Sequence, residues 1–128
     1  MNIIKAIAYH LEFEGFGTVS DNSKQGNIFW GLMPDKPDEC ICVFSNDSSY
    51  AGSNSGARVQ IVTRARTVKA AYELSQEIAE TLAEYEGFLH GDGAQVIISV
   101  VNSSAGLGGD EKKRELFSSN YTVKYCDN

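Results

Sequence analysis

The 128-residue sequence predicts an α+β domain: a mixed, mainly antiparallel sheet of about five strands with two helices packed on one face. Three observations predict it. The segment Arg58 to Leu82 (RVQIVTRARTVKAAYELSQEIAETL) changes hydrophobic period in its middle, from the alternation of a strand to the three-and-four spacing of a helix. Ala94 to Val101 (AQVIISVV) is nearly continuous apolar, as expected of a strand covered on both faces. From Phe117 onward, Phe117, Ser119, Tyr121, Val123 and Tyr125 alternate with Ser118, Asn120, Thr122 and Lys124, which gives a closing strand with one aromatic face.

The remaining elements follow along the chain. Asn2 to Phe13 reads as a helix with Ile3, Ile4, Ile7, Ala8 and Leu11 on one side, stopped by Gly15 and Gly17. Thr18 to Asn27 is polar and reads as a loop. Ile28 to Met33 (IFWGLM) is a short strand closed by Pro34 and Pro37, which donate no ladder hydrogen bond. Cys40 to Phe44 (CICVF) is a second strand, rich in apolar and β-branched residues. Ser45 to Gly56, with Tyr50 as its single aromatic, reads as a hairpin tip or a mobile arm. In the next strand Val59, Ile61, Thr63 and Ala65 face inward against Arg58, Gln60, Arg64 and Arg66. Thr67 then stands where its hydroxyl caps a helix carrying the stripe Val68, Ala71, Tyr72, Ser75, Ile78, Ala79 and Leu82, with Gly87 as its stop. Asn102 to Asp110 (NSSAGLGGD) reads as a second flexible loop, leading into Glu111 to Glu115.

Composition bounds the function. The length suits one domain, and 42% hydrophobic with 22% charged residues is a globular balance. A net charge of −6 argues against general nucleic-acid affinity, which rests on neutralising phosphates with Lys and Arg. No apolar run approaches the ~20 residues of a membrane span, and the N-terminus lacks the order of a secretory leader, so synthesis in the cytoplasm is expected. Cys40 and Cys42 share one strand face and Cys126 stands far from them; buried reduced thiols are expected, because His10 and His90 are not spaced to complete a metal site.

Catalytic and cofactor motifs are missing where they would be needed. Gly106, Gly108 and Gly109 are followed by Asp110 and Glu111, which repel phosphate, so neither a nucleotide loop nor a dinucleotide fingerprint is formed. His90 beside Asp92 has no nucleophile elbow to serve. What the chain does offer is charge of opposite sign on neighbouring elements: Arg58, Arg64 and Arg66 on the strand, and Glu73, Glu77, Glu80 and Glu84 on the outer ridge of the helix. Unlike patches on one chain suit head-to-tail contacts between copies. Tyr50, Asn54, Leu107, Lys112 and Lys113 in and beside the two polar loops are the candidate contacts to other partners.

The segments NIIKAIAYHLE, IFWGLMPDKPDECICVF, with its Met-Pro-Asp-x-Pro-Asp link, and RVQIVTRARTVKAAYELSQEIAETL, with Ala71 and Tyr72 paired in its helix, resemble phage minor capsid or tail-terminator (tail-completion) proteins. The resemblance runs over nearly the full chain, and the departures lie in Ser45 to Gly56 and near Gly106. It implies a sheet with helices on one face and a ring of subunits, six-fold where known. Such a ring caps the tail tube, halts its polymerisation and presents a docking surface for the head connector. It also implies a virion protein that is no enzyme and takes no cofactor. A head-completion or neck subunit, a small cytoplasmic ligand-binding domain and a hydrolase built on His90 are the competing expectations.

Overall fold

The computed structural model describes residues 2–21, 23–47, 56–89 and 95–125. Along them run α1 (Ile3–Phe13), β1 (Ile28–Trp30), β2 (Cys40–Asp47), β3 (Gly56–Ala65), α2 (Val68–Leu82), β4 (Glu86–Phe88), β5 (Gln95–Gly109) and β6 (Glu115–Tyr125). The strands form one sheet in the order β1-β2-β3-β6-β5-β4. β1 runs parallel to β2 and every other neighbouring pair is antiparallel. The α+β class and the mixed sheet are as expected, with one more strand than the sequence suggested.

Both helices start on side-chain caps. The Asn2 carboxamide oxygen accepts from the Lys5 backbone N–H, and the Thr67 hydroxyl accepts from that of Ala70. Both pack on one face of the sheet. Register pairs Val43 with Ile61 and Val59 with Tyr121, so the inward side chains of β2, β3 and β6 line up across the strands. Ile7 and Leu11 of α1 and Ile78 and Leu82 of α2 close over them. Burying each such side chain contributes roughly 1.5–3 kcal/mol. Val68 and Tyr72, expected in the buried stripe, are 54% and 42% exposed, and the stripe is Ala71, Ser75, Ile78, Ala79 and Leu82.

Four expectations are corrected. Gly87 does not stop α2. The helix ends at Leu82, and Gly87 lies within the short strand β4, paired with Val96. β5 is not covered on both faces: Val96 and Ile98 are buried, whereas Ile97 is 37% and Val101 61% exposed. Nor is Asn102 to Asp110 a loop, because β5 continues through it to Gly109 against β6. Weak intrinsic preference is overridden here by cross-strand pairing. Part of the expected Ser45 to Gly56 loop is likewise strand, at Ser45–Asp47 and at Gly56. Its remainder, with Tyr50 and Asn54, lies outside the described residues, as do His90, Asp92 and Cys126. Cys40 and Cys42 are buried free thiols with sulfurs 3.8 Å apart.

The long β5–β6 hairpin is irregular in one strand only. Register shifts fall between Val100 and Asn102, between Asn102 and Ala105, and between Gly106 and Gly108, while β6 runs straight. Each shift places extra β5 residues opposite a regular partner strand. A bulge of this kind re-aims a side chain that would otherwise keep to the pleat.

Candidate assembly surfaces

The arginines of β3 do not form an open basic face. Arg64 is only 2% exposed. Its Nε donates to the carbonyl oxygen of Asp38 at 3.1 Å, and its Nη2 to those of Pro37 at 2.6 Å and Asp35 at 3.4 Å. Just past the strand, Arg66 reaches the Asp38 carboxylate at 2.6 Å. From the opposite side Arg114, itself buried, donates through Nε to Asp110 at 2.8 Å and through Nη1 to the Asp35 carbonyl. Lys112 pairs with the Asp35 carboxylate. Four cations thus clamp the Asp35–Asp38 link, joining the β1–β2 connection to the turn of the β5–β6 hairpin.

The clamp is electrostatically closed. Asp35 is held below the usual carboxylate range, first by the hydrogen bond from Lys112, and Asp38 first by that from Arg66. Asp110 is held there first by the backbone N–H of Arg114 and then by its guanidinium. The three carboxylates serve the fold. Their sequence signal was the Met-Pro-Asp-x-Pro-Asp link, whose aspartates, with Asp110 and Arg114, were not among the expected site residues.

The helix ridge is the contrary case. Glu73, Glu77 and Glu80 are exposed on α2, and Glu84 is exposed just beyond its end at φ 56. Among the described residues no lysine or arginine pairs with any of the four. Like charges at this spacing cost a few tenths of a kcal/mol each in an isolated helix. Beneath the ridge, Gln76, Ala79, Glu80 and Ala83 form an open groove with Val100 and Ser103 of β5, with a volume of about 260 Å³.

A polar joint sets the width of that groove. The Ser75 hydroxyl lies 3.1 Å from those of Ser119 and Ser104, and the Ser104 hydroxyl donates to Gln76 at 2.6 Å. The Ser104 backbone N–H donates to the Ser119 oxygen at 2.9 Å. Ser104 adopts φ 55, a left-handed conformation uncommon for a non-glycine residue and held here by these bonds. Past the joint the hairpin runs on to its turn, with Leu107 54% exposed and Lys112 and Lys113 exposed.

The structure therefore separates the expected contact residues. Arg64 is withdrawn from any surface, Arg66 is exposed but paired with Asp38, and Arg58 stays exposed at the far end of β3. Glu73, Glu77 and Glu80 lie on α2, Glu84 is exposed past its end, and Leu107 and Lys113 are exposed on the hairpin. Among the described residues no group of three His, Cys, Asp or Glu side chains could hold a metal ion, and no helix is long and apolar enough to cross a membrane.

Comparison with known proteins adds one match that spans the chain. A family model described as bacteriophage tail terminator protein matches residues 10–126. No curated protein matches. One solved structure, whose name states no function, has 15% identity and a TM-score of 0.45 over 80% of this chain and 82% of that one. A likeness that low carries no argument about either chain.

Proposed function

The chain belongs to the bacteriophage tail terminator protein family, a structural and non-enzymatic component of the phage tail and so of the virion, and on that premise we propose that it acts as a closed ring at the end of the tail tube. Family membership carries association with the tail tube. The ring, a hexamer, stops addition of further tube subunits and gives the head connector a surface to dock on. The observation that carries this reading is the mismatch of surfaces within one chain. Among the described residues the acidic ridge on α2 meets no lysine or arginine, while Arg66, Lys112 and Arg114 are spent on Asp35, Asp38 and Asp110 and Lys113 stands exposed on the hairpin turn. Such a chain gains from a neighbour placed head to tail, which is the contact that generates a ring.

Native mass measurement of the purified protein, alone and mixed with its tube protein, tests the proposal. A closed oligomer of one size, and tubes that stop growing when it is added, are the expected results. A protein that remains a monomer in both mixtures overturns the ring. A protein that joins the head connector but leaves tube growth unchanged favours a head-completion or neck subunit instead.

A further inference from the structure

Leu107 owes its exposure to a defect in the ladder. Gly106 pairs with Phe117 and Gly108 with Leu116, so Leu107 is the extra residue of a bulge and faces no partner on β6. Gly108 takes φ 88, a left-handed conformation that glycine adopts freely, and this lets the chain turn back into register immediately afterwards. A large apolar side chain is thereby presented to solvent on a strand otherwise composed of Asn, Ser, Ala and Gly beyond Val101. Leu107 does not fill its own groove, since it is 54% exposed.

The groove between α2 and β5 has complementary features. Its floor is small and apolar, from Ala79, Ala83 and Val100, and its rim holds Gln76, Ser103 and Glu80. Glu77 stands three residues from Glu80 on the same helix, and Glu84 is exposed just past the end of α2, extending the acidic character of that end. On the hairpin turn beyond Leu107, Lys113 is exposed at φ 62 and makes no ion pair among the described residues. Its neighbours are accounted for: Lys112 is paired with Asp35, and Glu111 is exposed on the same turn.

We propose that the β5–β6 hairpin of one subunit docks on the next copy, with Leu107 seated over Ala79, Ala83 and Val100 and Lys113 against the Glu77–Glu80–Glu84 rim. This rests on the ring reading and names its contact. Knob and groove lie at different places on one chain, so the contact is heterologous and can propagate around a ring. The Ser75–Ser104–Ser119 joint fixes the hairpin relative to α2, which sets knob and groove at a constant separation in every copy. The occupant is a second copy because the rim is acidic in a chain that already carries a net charge of −6 and places an exposed lysine beside the knob.

The test uses the full chain, with oligomer mass measured over a dilution series. Leu107→Asp and, separately, Lys113→Glu should each raise the concentration for half-assembly about tenfold or more, with circular dichroism unchanged. Combining Lys113→Glu with Glu80→Lys should restore assembly to near the wild-type concentration. In a Cys126→Ser background, Leu107→Cys with Ala83→Cys should give a ladder of covalent oligomers on mild oxidation. Wild-type assembly by Leu107→Asp, or a double-cysteine chain that stays monomeric under denaturing conditions, overturns the contact while leaving the ring intact. Rings that form normally from Leu107→Asp but fail to join the tube also overturn it, by showing that the tube protein is the occupant. A wild-type chain that never oligomerises removes the ring reading itself.

Discussion

The arginines at the end of β3 and the glutamates along α2 lie close together in the chain and look alike in sequence, as like charges at regular spacing. The fold treats them oppositely. Arg64 gives three hydrogen bonds to the carbonyls of Asp35, Pro37 and Asp38, and Arg66 a salt bridge to Asp38, so this charge is used to fasten a link between strands. The four glutamates meet no cation of their own chain among the described residues and stay in solvent. A charge that is already satisfied is a poor contact for a neighbour, because breaking its own bonds offsets what the new contact contributes. A charge left unmatched has no such cost. The charge left for a neighbour therefore lies on the helix and not on the strand.

The comparison breaks most sharply at Arg64. Arg64→Glu would place a carboxylate among three carbonyl oxygens at a site 2% exposed. A loss of about 3–5 kcal/mol is expected, as for a buried charge deprived of its partner, and urea unfolding measures it. Wild-type stability in this variant would show that the clamp does not hold the link. The same substitution cannot serve as a clean probe of assembly.

Acid tests the clamp next. Asp35, Asp38 and Asp110 are held below the usual carboxylate range in the folded chain. Groups of this kind contribute stability that is complete above the unfolded value, near 4, and is lost as pH falls toward the folded value. The midpoint of thermal unfolding should therefore drop below about pH 4. Asp110→Asn should lower that midpoint at neutral pH and flatten the part of the acid slope it supplies. An unchanged slope would exclude Asp110 from the linkage.

Effects near the ridge are smaller. Ser75→Ala, on the inner side of α2, removes one member of the buried serine joint and should cost roughly 0.5–1.5 kcal/mol. It should also speed amide exchange at Ser104, whose N–H donates to Ser119 in the same joint. Glu77→Lys, on the exposed side, should change monomer stability by less than about 0.5 kcal/mol. Its effect should instead appear in the mass of the assembly, and a large loss of monomer stability would show that the ridge serves the fold.

Much of the fold could be read from local pattern. The switch of period after Ala65 marked the start of α2, and Thr67 was identifiable as its cap because both signals lie within a few residues. The alternation in β6 likewise gave its buried side, with Ser119, Tyr121 and Val123 inward. Non-local facts were not legible. The alternation of β3 says which side chains oppose Val59 and Ile61, but not that a link 26 residues upstream covers Arg64. Asn102 to Gly109 has the composition of a loop, and only pairing with β6 makes it a strand. The ridge glutamates were visible as helical spacing, whereas the re-aimed Leu107 depends on a register shift that no pattern within β5 announces.

The same register shifts bear on how the chain behaves before it meets any partner. Beyond Ile98, whose N–H still reaches the Tyr85 carbonyl, β5 pairs only with β6 among the described residues, which leaves a sheet border facing outward as far as Gly109. From Ser99 to Gly109 this border contains no charged residue and no proline, two common means of discouraging strand addition. Irregularity takes their place. No stretch of the border between the shifts is long enough to template an extended partner strand, and β1 and β4, at the two ends of the sheet, are three residues each. Copies that accumulate before tails are complete are thus guarded against cross-β stacking by backbone geometry alone. The register shifts that turn Leu107 outward also keep the backbone from fibrous association.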